Sequence, residues 1–505
     1  MPVLRIWSTA LIVVLSGLVS GISRAAAQDL PPQEPQLRID PGMHAAPIRR
    51  LGVDAACTLL ATGSDDKTVR LWRLPEGKLV RTLRPPIGPG NDGRVFAVAM
   101  APDGSWVASG GWDAAFPGFV YVFEATTGRV VTRLGPLSQV VNYLAVSPDG
   151  RFLAAVLGGG QGLRVWERTG SDIGGWRLVA EDRDYGGKDA YGAAFDRAGA
   201  LYTVAFDGKL RRYAPGGYTS KPASAPTRGS KEPASVAVHP AGDRVAVGFN
   251  DSTAVEVYDV RTLARRFAVN NTGLDNGNLA IVAWSANGAR LYAGGSFARV
   301  VNGVDTGSPV RVWDRAGQGQ SKELQGPIST IMHLLPCGDG IGVVAQDPAF
   351  GVFDGKDHRR LWRDSAQTDM REKIREHFTL SPDARRVRFD LTYRAGQPVL
   401  FDIAAERLND APNAVEGLTA ADTESLAVAN WNNLPNPTLA GKPIELEPYE
   451  TARSLAIAPD KQRFVLGTEW SLRAYESDGR LAWRKPSGVV WGLNIPRDGK
   501  VVVAA

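Results

Sequence analysis

One turn, met again and again at nearly constant spacing, limits what this chain can fold into more than any other feature. Its third position is Cys57, Gly104, Gly150, Gly199, Gly242, Gly288, Gly338, Ala384, Lys461 and Gly499. The wording around it repeats as APDG at 101–104, SPDG at 147–150, HPAG at 239–242, SANG at 285–288 and SPDA at 381–384. Each Pro presets a turn and each Gly permits positive φ. After each turn comes a small-residue strand, a polar hairpin turn and an apolar returning strand, clearest in ATGSDDKTVRLW at 61–72. A period of roughly 40 to 50 residues with four short strands per unit is the pattern of propeller blades. The class is all-β, with four-stranded antiparallel blades in about ten units, the last of them incomplete.

The returning strands read VYVFE at 120–124, LRVWE at 163–167, VEVYD at 255–259, VRVWD at 310–314 and LRAYE at 472–476. On these residues, from about 36 onward, the chain resembles the WD40-repeat β-propeller family, whose namesake ending is RVWD at 311–314. The resemblance implies a structural polar network of His44, Ser64, Asp66 and Trp72 in the first unit. Most other units lack that His, so packing is expected to hold them rigid.

The chain divides into 1–27, a signal peptide; 28–35, a linker; 36–365, a seven-bladed ring; and 371–505, a second, incomplete ring. Arg5, an apolar run and Ala25-Ala26-Ala27 make the N-terminus a cleavable export signal in preference to a membrane anchor. LRID at 37–40 is expected to help close the ring by completing a blade from elsewhere, and 370–378 to form a short helical linker. The gap between Ala384 and Lys461 is long and holds a strand pair, 425–431 with 442–447, around NNLPNPTLAG. The unit opening at Val489 stops at VVVAA without its returning hairpin, the expected form of a truncated sequence or of an edge completed elsewhere.

Export makes disulfides permissible, and there are 2 cysteines. Cys57 and Cys337 occupy the same turn in the first and seventh units, neighbours in a closed seven-membered ring. A closing disulfide is one reading. Because blades splay outward and the bond tolerates no more than about 7 Å between Cα atoms, two unpaired thiols are the expectation.

Long connections fall into two sets that emerge on one face, opposite the plain Pro-Asp-Gly turns. Loops on a rigid scaffold commonly carry recognition, though they also tolerate insertion at little cost. Trp112, Phe116 and Phe119 cluster in one hairpin, as binding hot spots or as a plug over the channel. Asp182, Asp184, Tyr185, Asn270 and Asn271 are further candidate contacts on that face.

Chemistry is not indicated. The 58 basic and 53 acidic residues are interspersed, which argues against a nucleic-acid groove. The 5 histidines never fall in ligand spacing, and no nucleophile elbow or phosphate loop is present, so no catalytic, metal or cofactor residue is expected. YESDGRLAW at 475–483 and LWR at 361–363 resemble the tryptophan-docked repeats of quinoprotein propellers, but the motif is not repeated in every blade and an adjacent cysteine pair is missing. Taken with RPPIGPGNDG, NPTLAGKPIELEPYE and VVWGLNIPRDGKVVVAA, the exported N-terminus resembles a group of bacterial WD40 proteins that often carry a caspase-like peptidase domain. That resemblance implies a non-catalytic scaffold or sensing module, with a protein partner or fused C-terminal domain and no membrane contact beyond the signal. A small-ligand propeller is the rival.

Overall fold

The computed structural model describes residues 42–88, 91–112, 118–219, 221–364, 378–390, 398–405, 407–410, 417–447, 450–487 and 489–504. The signal peptide, the linker, LRID, Phe116 and nearly all of the expected helical linker lie outside these residues.

Between 48 and 363 the described residues form seven four-stranded antiparallel sheets, each built from consecutive sequence. The first shows the pattern: β1 (Ile48–Val53), β2 (Leu59–Ser64), β3 (Val69–Arg73) and β4 (Lys78–Leu83) pair in order. Inner strands of the other six are Val95–Met100, Val141–Val146, Ala190–Phe195, Pro233–Val238, Ile281–Trp284 and Ile331–Cys337. Each inner strand packs beside the next, and the seventh packs beside β1, closing a ring.

The turn from inner to second strand requires a left-handed residue, and Gly104, Gly150, Gly199, Gly242, Gly288 and Gly338 all have positive φ there. Gly takes that conformation without a Cβ penalty. Cys57, at φ 53°, takes it with one. Asp54 stabilises this turn by accepting from the Thr58 amide at 2.7 Å, the Thr58 hydroxyl at 2.6 Å and the Leu59 amide at 2.8 Å.

The core is cut into slices between blades. Ala61, Val69, Leu71, Leu83, Val95, Val98, Val107 and Phe123 form the slice between the first two. Similar slices separate the others, and Ile48, Leu51, Leu60, Trp72, Val344, Phe350 and Val352 fill the one between blades seven and one. Each Val, Leu, Ile or Phe side chain so buried contributes about 1.5–3 kcal/mol, and much of that burial depends on the neighbouring blade.

Blades one and seven each supply all four of their own strands. They are held together by packing, by hydrogen bonds from the Arg50 guanidinium to Met332 O at 3.0 Å and from the Leu51 amide to His333 Nδ1 at 3.3 Å, and by a Cys57–Cys337 disulfide. The expectation of unpaired thiols is therefore corrected. Blades splay at their outer strands, but these turns sit beside the inner strands, where the Cα atoms are 5.2 Å apart.

Beyond residue 378, strands 407–410, 399–402, 386–389, 379–380 and 419–420 make a five-stranded sheet in that order. The expected strand pair after it is instead three short strands, because Thr438–Leu439, inside the expected turn, pairs with both Val428–Ala429 and Lys442–Pro443. A regular four-stranded sheet spans 452–486, and Leu493–Asn494 pairs with Val503–Ala504. The Asn494 side-chain amide donates to Phe378 O at 3.1 Å and Thr419 O at 2.9 Å, stitching that last pair to the five-stranded sheet.

Candidate functional site

His44, just before β1, is fully buried, with Nδ1 2.8 Å from Asp66 Oδ2 and Nε2 2.8 Å from Thr62 Oγ1. The Trp72 indole donates to the same Thr62 hydroxyl at 2.8 Å. Thr62, not Ser64, is thus the relay of this network. Ser64 ends β2 opposite Ile48 and turns its hydroxyl to Ala46 O at 2.8 Å, while Thr62 faces the indole from the strand interior. Burial alone would push the Asp66 carboxyl up, but the His44 imidazole, Thr68 and Arg70 outweigh it and hold the group at about 2. A depressed folded pKa stabilises above the unfolded value near 4 and is lost as pH falls through 2. Asp66→Asn is accordingly expected to cost about 2 kcal/mol at pH 6, narrowing toward zero between pH 4 and 2, read as the difference in urea midpoints.

The candidates on the elaborated face separate. Trp112 and Phe119 are each partly buried, lining one crevice with Pro85 and Pro86, and the Arg133 guanidinium stacks 4.5 Å from the Phe119 ring centre. The neighbouring Arg94 carbonyl accepts from the Trp112 amide, and the Arg94 side chain reaches Glu469 at 3.5 Å. This loop therefore meets the later sheets of the same chain. Tyr185 is not a surface contact: it is 0 % exposed, its hydroxyl 2.8 Å from Thr203 and 2.9 Å from Tyr213. Asp182 accepts from Tyr213 at 2.6 Å and from the Asp184 amide at 2.8 Å, and Asp184 offers its carbonyl to Arg211. Asn270 caps the Thr272 amide and accepts the Trp313 indole on its carbonyl; beside it, Asn271 O accepts from Leu274 N. These residues shape loops; Asp184, Asn270 and Asn271 are also exposed.

What residue-type reasoning passed over is the hairpin of blade six. Val300–Val301 pairs with Val304–Asp305 around Asn302-Gly303, both at positive φ as a tight two-residue turn requires. Its valines are 53 %, 49 % and 63 % exposed at 300, 301 and 304. At its base Ser308 N donates to Pro327 O beside Ile328, itself 54 % exposed. The legible signal was VVNGV, three β-branched residues around Asn-Gly inside an inserted loop.

The WD domain, G-beta repeat family model matches residues 42–73 and 77–115, the first blade and most of the second blade's described inner half. The ring is a WD40-type β-propeller. Relatives of this propeller include WD repeat-containing protein VIP3 of Arabidopsis thaliana, 34 % identical over 122 residues, 24 % of this chain and 34 % of that protein. Small ribosomal subunit protein RACK1y of Oryza sativa subsp. japonica is 32 % identical over 108 residues, 21 % of this chain and 29 % of the relative. Telomerase protein component 1 of Rattus norvegicus is 29 % identical over 205 residues, 40 % of this chain and 7 % of that protein. The WD40 propeller thus spans about a third or less of each relative's length. Among its described residues no group of three His, Cys, Asp or Glu is placed to hold a metal ion.

Proposed function

We propose that this propeller is an exported, non-catalytic scaffold or sensing module that binds a protein through its elaborated face. The observation that carries the reading is the blade-six hairpin. Three valines held on a two-stranded projection cost free energy in water, and an apolar projection on a loop-bearing face is the form of a docking element. The match to the WD domain family model and to a relative named as a WD repeat-containing protein supports a scaffold role. Export is supported by the N-terminal pattern and by the Cys57–Cys337 bond, which persists in oxidising compartments.

The stretches that resemble bacterial WD40 proteins with a caspase-like domain make such a domain the partner proposed, the propeller acting as its regulatory half. Reading the coding frame beyond residue 505 tests this: a His and Cys pair in a following domain is expected, and a partner encoded elsewhere is the contrary result. The docking face is tested by Val304→Asp and Val300→Asp in one chain. Partner binding by titration calorimetry is expected to weaken about tenfold or more, with the thermal midpoint unchanged because these side chains are exposed. Unchanged affinity would remove the hairpin from the interface.

A further inference from the structure

The inner strands carry a recurrent β-bulge, with register shifts at Ile48/Arg50, Val95/Ala97, Ala190/Gly192, Pro233/Ser235 and Ile331/His333, and opposite Tyr143 in the third blade. Bulges re-aim side chains. The bulge-equivalent residues are small in blades two, four and five, Ala97, Gly192 and Ser235. In blades one, three and seven they are Arg50, Tyr143 and His333, and these meet across the channel. The Tyr143 hydroxyl is 2.8 Å from His333 Nε2, and the Arg50 guanidinium lies 5.2 Å from the Tyr143 ring centre.

Proton accounting leaves this cluster incomplete. The Leu51 amide donates to His333 Nδ1 at 3.3 Å, so that nitrogen carries no hydrogen. Burial, then Arg50, pushes the imidazole well below its ordinary value, leaving it neutral with its hydrogen on Nε2. His333 must then donate to the Tyr143 oxygen, and the Tyr143 hydrogen is left to find an acceptor. Arg50 is 8 % exposed and donates only to the Arg49 and Met332 carbonyls; its Nε has no partner, and among the described residues no carboxylate pairs with it. Burial pushes it down to about 10, so it remains a cation. A buried cation without a counter-charge is costly.

Tyr143 and His333 form part of the wall of a chamber of about 520 Å³ on the axis, opening between the turns that hold Pro102, Pro148 and Pro240; Arg50 is not part of that wall and reaches it only through the Tyr143 ring, 5.2 Å from its guanidinium. Its sides are a tier of small residues, one from each of five inner strands: Ala99, Ala145, Ala194, Ala237 and Ala283, with Trp284 beside them. A volume of this size suits a small organic ligand.

We propose that the chamber binds a small organic monocarboxylate, its apolar body against the alanine tier and Trp284, its carboxylate accepting from Tyr143 and balancing Arg50. One free hydroxyl hydrogen and one guanidinium match a single negative charge; a phosphate dianion would lack donors. The chamber opens on the plain face, away from the blade-six hairpin, so this site stands or falls separately from the docking face.

The test uses decanoate and decanol as probes of the purified full chain, by titration calorimetry. Decanoate is expected to bind saturably and more tightly than decanol. Arg50→Met should weaken decanoate by about tenfold or more while leaving decanol unchanged, Tyr143→Phe should weaken decanoate by several-fold, and Arg50→Lys should recover most of the affinity. A brominated decanoate should quench fluorescence in the parent and quench less in Trp284→Phe. Should Arg50→Met fail to fold, Tyr143→Phe and Arg50→Lys carry the same comparison. No saturable binding, equal losses for acid and alcohol, or decanoate affinity surviving both Arg50→Met and Tyr143→Phe would overturn the site.

Discussion

Reducing the Cys57–Cys337 bond is expected to lower the unfolding temperature of the ring by several degrees in calorimetry, and the Cys57→Ala, Cys337→Ala double variant to show the same fall without reductant. The bond joins residues separated by 280 positions, one in the first blade and one in the last. Cross-linking across a separation of this size removes much of the unfolded chain's entropy, worth about 5–6 kcal/mol in the chain-entropy account. It also acts where the ring has no other covalent tie, since blades seven and one otherwise meet through packing around Trp72 and Phe350, whose ring centres are 4.6 Å apart, and through hydrogen bonds made by Arg50, Leu51 and Arg363. A reductant-insensitive parent would mean that packing alone closes the ring. Thiol alkylation without reduction should label neither cysteine in the parent.

Glu450→Ala should be the most damaging single change in the later sheets, costing about 3–5 kcal/mol. Glu450 is fully buried beside the 452–486 sheet and accepts from Thr468 and Ser471 at 2.5 Å each, and from both the Nε and a terminal nitrogen of Arg473. Burial pushes its carboxyl up, but Arg473, Ser471 and Thr468 more than offset this and hold it below its ordinary value, so it stays charged. Removing it strands a buried guanidinium; Glu450→Ala with Arg473→Met removes both charges and should recover most of the loss. Hydrogen-exchange protection of the strands Arg463–Thr468 and Ser471–Glu476 reads both variants. If the double variant is no better than the single, the pair matters through shape and not charge.

Local rules carried the fold a long way. The Pro-Asp-Gly turns, the alternation along LRVWE and VEVYD, and the repeat length depend on residues within a few positions of each other, and strands formed where those patterns lay. Within one blade the reading was off by small registers. Ser64 and Thr62 are both hydroxyl residues on β2, and only the pairing of Ser64 with Ile48 at the strand end shows which one faces the Trp72 indole. Tyr185 reads as a loop aromatic, yet Thr203 and Tyr213 of the next blade, with Arg211 stacked 4.1 Å from its ring centre, draw it inside.

The candidate sites were legible only in part. The blade-six hairpin announces itself through Val-Asn-Gly-Val, because turn chemistry is local. Nothing local joins Arg50, Tyr143 and His333: they come from blades one, three and seven and look like ordinary strand residues. The amino-acid sequence by itself determined the repeating unit and, between 48 and 363, its four strands, since both follow from short-range turn geometry and side-chain alternation. Only the tertiary structure decided which cysteines pair, which hydroxyl serves His44 and what occupies the channel, because closing a ring brings inner strands together that are hundreds of residues apart, and that proximity is a property of the circle and not of any stretch within it.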